Sequence, residues 1–252
     1  MKSILRILSL GILAAGLMAA STGLMAPPAG AAPLFLSDWG ISYGNWAANG
    51  NAPTHLHSVV EDWVSGGNGY LDPGYGGDAY DVEAAYLGWD DDYLYLAVVT
   101  GFPLAGRQHG AEFYEAGDLA LDVTGDSDYD FAVDVSSSGA LRSGSLNWEN
   151  PAINGGQAWG GISDPLRVTS WTNTDAVAGF SYGAFSGRYA IETMIDRSLI
   201  GSVDSYTLHW TMGCGNDAAD LHVNPVPEPA TLLLLGGGLA LAGTLRRLRK
   251  RS

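Results

Sequence analysis

Residues 80–103 read YDVEAAYLGWDDDYLYLAVVTGFP, and this stretch sets the fold class. Val82, Ala84 and Tyr86 alternate with Glu83, Ala85 and Leu87, the two-residue period of a strand with unlike faces. Trp89-Asp90-Asp91-Asp92 supplies a polar, solvent-exposed turn. Residues 93–100 (YLYLAVVT) are dense in the aromatic and β-branched side chains that favour strands. Strand, turn, strand is a hairpin.

The pattern continues toward the C-terminus. Residues 118–123 (DLALDV) and 129–135 (YDFAVDV) flank a turn at 124–128. Phe131, Val133 and Val135 alternate with Asp130, Ala132 and Asp134, so one face is buried and the other solvated. Further strands are expected at 166–171, 178–185, 189–195 and 206–212, and no segment of the body sustains a helical period over three turns. Short strands separated by turns at such intervals predict an all-β fold, an antiparallel β-sandwich of jelly-roll-like form. Two stretches, 65–77 and 146–165, are rich in Gly and Asn with embedded aromatics and read as long loops.

Charge divides the chain into three parts. It carries 27 acidic and 12 basic residues, a net charge of −15. Residues 33–224 hold 26 of the acids, five arginines and no lysine, which gives the body −21. Nucleic acid and anionic lipid bind through clustered Lys and Arg, so neither is expected as a partner. A hydrophobic content of 46% with eight Trp argues equally against a disordered acidic tail. The basic residues stand at the two ends.

Residues 1–32 read as a signal peptide. Lys2 and Arg6 precede an apolar stretch over 7–18, and Ala29-Gly30-Ala31 offers small residues to signal peptidase. At the other end, Pro227-Glu228-Pro229 precedes an apolar run over 230–245 and the basic residues Arg246, Arg247, Arg249, Lys250 and Arg251. A helix over that run would be about 24 Å long, against a hydrocarbon core of about 30 Å, a marginal transmembrane span. The basic tail would stay cytoplasmic and leave the body outside.

These three parts together resemble the PEP-CTERM sorting signal of exopolysaccharide-producing Gram-negative bacteria. The resemblance implies that Pro227, Glu228 and Pro229 are recognised by exosortase, a membrane protease. The protein would then be an inner-membrane intermediate and afterwards a cell-surface or extracellular-matrix component. Three regions follow: signal peptide 1–32, acidic sandwich 33–224, and sorting signal 225–252. The run over 80–103, with Tyr189-Ala190-Ile191-Glu192-Thr193-Met194-Ile195, also resembles family nine carbohydrate-binding modules and DOMON-like sandwiches.

Several residue sets are candidates for chemistry. Asp126, Asp128 and Asp130, with Asp122 upstream, have the alternate spacing that can surround calcium with oxygen ligands. Phe131 and Ser137 stand where a helix–loop–helix calcium site needs Gly and Glu, and a solvated hairpin turn has the same composition. The likeness to surface sandwiches, which keep acids in these strands, adds Asp118 with Asn216 and Asp217. His55-Leu56-His57 places two imidazoles on one strand face with Glu61 and Asp62 near in sequence, a candidate transition-metal cluster. Trp148, Trp159, Tyr70 and Tyr75 lie among Asn, Gln, Asp and Glu in the long loops, a composition suited to stacking sugar rings. Trp89, Trp171 and Trp210 lie in or beside strands and read as core or corner residues, and Cys214 as a small buried hydrophobe unable to form an internal disulfide.

No Gly-x-Ser-x-Gly elbow, His-Glu-x-x-His or phosphate loop is present. The expected role is a non-catalytic, polysaccharide-associated surface protein. A polysaccharide-modifying enzyme and a purely structural surface protein are the alternatives.

Overall fold

A computed structural model of the chain describes residues 34–61, 77–149 and 166–224. The expected signal peptide and C-terminal helix lie outside these residues. Among the described residues no helix is long and apolar enough to cross a membrane.

Among the described residues fifteen strands form. They are β1 (His55–Val60), β2 (Val82–Trp89), β3 (Tyr93–Thr100), β4 (Arg107–His109), β5 (Glu112–Tyr114), β6 (Leu119–Asp122), β7 (Phe131–Asp134) and β8 (Ala140–Ser143). The rest are β9 (Asn147–Glu149), β10 (Arg167–Ser170), β11 (Asn173–Asp175), β12 (Gly179–Phe185), β13 (Arg188–Asp196), β14 (Tyr206–Thr211) and β15 (Ala218–Val223). One sheet has the order β1-β2-β3-β13-β12 and the other β11-β8-β7-β6-β14-β15, with β9–β10 and β4–β5 as two-stranded ribbons. All pairings are antiparallel.

The two sheets share one core. Leu87, Leu96, Val98 and Ile191 from the first meet Leu119, Leu121, Leu208 and Trp210 from the second, all essentially inaccessible. This is the expected all-β sandwich. Each sheet begins with a meander of sequence neighbours, β1-β2-β3 and β8-β7-β6, where a jelly roll would alternate between sheets.

The outer face of the five-stranded sheet is also buried. Ala84, Tyr86, Ala97, Val99 and Ala190 form a second core with Phe35, Leu36, Trp39, Ile41 and Trp46 of the N-terminal segment. A register shift between Val82 and Ala84 decides which side chain goes where. Val82 therefore joins Ala85 and Leu87 in the sandwich core, and Ala84 and Tyr86 face the second core. The simple alternation of Val82, Ala84 and Tyr86 on one face is corrected by this bulge.

Three kinds of contact seat the N-terminal segment. Phe35 and Trp39 pack at 4.4 Å between centroids, and each meets Tyr95 edge-on. The Tyr86 hydroxyl donates to the Trp46 carbonyl at 2.9 Å. Trp39 O accepts the N–H groups of Asn49 and Gly50, closing the segment into a loop. A Cβ at Gly50 would lie 2.2 Å from Asp38 O, so only glycine permits this closure.

Candidate functional site

Strand alternation builds a polar face on the outside of the six-stranded sheet. Leu119, Leu121, Val133, Leu141, Leu208, Leu221 and Val223 point inward, which sends their sequence neighbours outward. The register then aligns Thr174, Arg142, Ala132, Ala120, His209 and Asp220 in one row across all six strands. Ala120 and Ala132 at its centre are fully buried, because the β9–β10 ribbon is drawn down on this side. The Val168 N–H donates to Asp118 Oδ2 at 3.0 Å, and the Asp118 N–H donates to the Leu166 carbonyl at 3.0 Å.

An aromatic line runs from that ribbon across the face. Trp148 on β9 meets Tyr129 of the β6–β7 turn at 5.7 Å, and Tyr129 stacks on His209 of β14 at 6.0 Å. His209 Nδ1 lies 2.8 Å from Asp220 Oδ1, whose side chain is exposed. Alongside, Thr207 Oγ1 and His222 Nδ1 are 2.8 Å apart. Trp148 and Tyr129 are half-buried.

At the opposite end of the row, Arg142 gives Nε and Nη2 to Asp134 Oδ2 at 3.1 and 2.8 Å. Its Nη1 donates to Thr174 Oγ1, and Trp171 lies against the guanidinium at 4.0 Å. Trp171, read as a core or corner residue, stands at the corner between β10 and β11, where it is 37% exposed and works as a plate over a buried cation. Burial works against the Asp134 carboxylate. The Arg142 fork, Ser136 and Ser137 outweigh that effect and hold its pKa below the ordinary value.

The calcium candidates occupy this face and its upper turn. Asp122 Oδ1 accepts the N–H groups of Thr124 and Gly125 at 2.9 and 2.7 Å, and its Oδ2 accepts from Ser127. Asp130 Oδ2 accepts the Val123 N–H at 2.8 Å, and Asp126 Oδ1 the Asp128 N–H at 3.0 Å. These carboxylates organise the turn, the usual work of Asp at such positions. Among the described residues no group of three or more His, Cys, Asp or Glu comes together to hold a metal ion.

Asp118 and Asp217 are pins between elements. Asp118 accepts from Val135 at 2.8 Å as well as from Val168. Burial raises its pKa to about 7, and those two amides oppose the rise. Asp217 accepts from Val82 at 2.6 Å and Ala218 at 2.9 Å, and burial likewise raises its pKa to about 7. The first ties the ribbon to the six-stranded sheet. The second ties one sheet to the other across the start of β2. Asn216 is half-buried beside Asp217. Cys214 is a free, buried thiol whose pKa burial raises to about 11, an inert state.

Trp159, Tyr70, Tyr75, Asp62 and the triplet Pro227, Glu228 and Pro229 lie outside the described residues. Of the stacking candidates the structure places Trp148. It adds Tyr129 and His209, which sequence reasoning missed. Tyr129 follows an Asp-rich turn and reads there as a strand residue, and the His209–Asp220 pair exists only through the register of β14 with β15.

Comparison with known proteins assigns the tail. Residues 225–250 match the PEP-CTERM protein-sorting motif. A chain with this motif is an exported surface protein sorted through the membrane by exosortase. No curated protein and no solved structure matches the chain significantly.

Proposed function

We propose that the body is a non-catalytic, polysaccharide-associated module of the cell surface or extracellular matrix, and that it holds glycan on the outer face of the six-stranded sheet. The line Trp148–Tyr129–His209–Asp220 carries this reading. Half-exposed aromatic rings offer flat apolar surfaces to the C–H faces of pyranoses. Asp220, Thr207 and His222 stand beside them with groups that accept or donate hydrogen bonds to hydroxyls. The strand pattern over 80–103, similar to that of family nine carbohydrate-binding modules, points the same way.

A polysaccharide-modifying enzyme would need a carboxyl free to exchange protons with substrate. Asp118 has a raised pKa, but both of its oxygens accept backbone amides beneath the ribbon, which favours the non-catalytic reading. Calcium enters as a bridging ion at Asp126 and Asp128, the exposed carboxylates of the turn.

The test is calorimetric titration of the full-length protein in detergent with neutral, amino-sugar and uronic-acid polysaccharides. Binding of at least one polymer that weakens about tenfold or more in W148A and Y129A is expected. No binding by any polymer, or release of reducing ends lost in D118N, overturns it. A melting temperature that calcium leaves unchanged removes the ion.

A further inference from the structure

The five-stranded sheet ends in β1, whose sequence begins His55-Leu56-His57. Both histidines are exposed, and both stack on the same indole, that of Trp89 directly across the ladder. His55 lies 5.0 Å from Trp89 between centroids with planes 9° apart, and His57 lies at 5.5 Å with planes 16° apart. The indole itself is held from within the sandwich by Tyr206 at 5.2 Å. Both imidazoles thus lie nearly parallel to the same rigid indole.

The geometry points to a surface site for a borderline divalent transition-metal ion, Cu²⁺ foremost, bound by His55 and His57. An imidazole nitrogen directs its lone pair in the plane of its ring. Stacking engages the faces of both rings and leaves the nitrogens at their edges. Residues two apart on a strand lie about 6.8 Å apart along it, and a metal takes imidazole nitrogen at about 2 Å. In the proposed complex both rings turn out of their stacked positions toward each other, and one ion is shared by the pair.

The donor set selects the metal. Two neutral nitrogens suit Cu²⁺, Ni²⁺ and Zn²⁺ in the order set by intrinsic affinity, with Cu²⁺ tightest. Calcium and magnesium require oxygen donors and are rejected. Two protein ligands leave open positions on the ion for water or for a donor on another molecule. Glu61, near in sequence, is not among the ligands. It follows the far end of β1, where its N–H donates to the Glu83 carbonyl. This site is separate from the glycan face, which lies on the other sheet, and does not depend on it.

Full-length protein in detergent, freed of metal by chelation, is titrated with CuCl₂, NiCl₂ and ZnCl₂ by calorimetry and indole fluorescence. Electron paramagnetic resonance is recorded at one equivalent of Cu²⁺. The expected result is one tight Cu²⁺ per chain, quenching of indole emission and nitrogen hyperfine structure from two imidazoles. H55A and H57A each weaken that binding about tenfold or more, whereas H222A leaves it unchanged. W89F keeps the stoichiometry and loses most of the quenching. Both histidines are exposed, so unchanged circular dichroism and metal-free melting temperature confirm that the variants fold. Absence of Cu²⁺ binding, or Cu²⁺ binding of equal affinity in the H55A/H57A double variant, overturns the assignment.

Discussion

Glu192 and Phe35 are 157 positions apart in sequence and meet inside the protein, where the Phe35 N–H donates to Glu192 Oε1 at 2.9 Å. The same carboxylate accepts the Leu36 N–H at 2.8 Å and the Leu34 N–H at 2.9 Å. Glu192 has no accessible surface. Burial raises its pKa, and the three amides counter the rise. One side chain of β13 therefore satisfies the opening backbone of the segment that covers the second core.

Glu192→Ala leaves two buried amides, of Phe35 and Leu36, and the partly buried amide of Leu34 unpaired, at about 1–3 kcal/mol for each group that water cannot reach. A large fall in the urea midpoint is expected, and Glu192→Gln, which keeps an acceptor, loses less. A loss under about 0.5 kcal/mol for the alanine variant would show that the carboxylate does not hold the segment.

Stability should depend on pH through Asp118 and Asp217. Their folded pKa values near 7 exceed the unfolded value of about 3.9, so the folded chain binds more protons between these limits. Their contribution is complete below about pH 4 and is lost as pH rises toward 7. Asp134 acts in the opposite sense, because its pKa is depressed: its contribution is present at neutral pH and disappears in acid. Chemical denaturation from pH 4 to pH 8 should show a shallower decline in D118N and D217N than in the wild type. Parallel curves would rule the two acids out.

Removing Arg142 strands a buried carboxylate. Arg142→Ala should cost about 3–5 kcal/mol, the usual penalty for breaking a buried pair from one side. The double variant R142A/D134A should recover part of that loss, a coupling that a double-mutant cycle reads directly. Additive losses would mean that the pair is not coupled.

Replacing Pro227, Glu228 and Pro229 with alanine should leave an unprocessed, membrane-associated form. Cell fractionation and intact-mass measurement separate this form from released protein. Unchanged processing and location would contradict recognition of the triplet by exosortase.

The main hairpin was legible because its chemistry is local. Residues 93–100 form β3 as read, and Asp90 closes the preceding turn by accepting the N–H groups of Asp92 and Tyr93. Alternation placed Asp130, Ala132 and Asp134 of the β7 segment on one face, but that face is not solvated as expected: Ala132 and Asp134 are buried. The covering segment over residues 34–52 was not legible. Its Phe35, Trp39 and Trp46 have neither strand nor helix period, and their burial depends on a sheet face formed by residues far along the chain. β15 was missed because Ala218-Ala219-Asp220 has weak strand propensity, although Ala219, Leu221 and Val223 face the core once β14 supplies a neighbour. The aromatic line of the candidate site likewise needs three elements in register.

The tie between Glu192 and residues 34–36 also orders events during export. A chain translocated from its N-terminus delivers Phe35 and Leu36 first and their anchor on β13 late. Until then, the aromatic segment has no carboxylate to accept its amides and no β3–β13 pair to lie upon. Closing so long a loop is slow, and such a segment is open to wrong partners while it waits. The second core is therefore among the last parts to set, and wherever export stalls before β13 has emerged, the exposed Phe35–Trp39 patch is the surface a chaperone or protease outside the membrane would meet first.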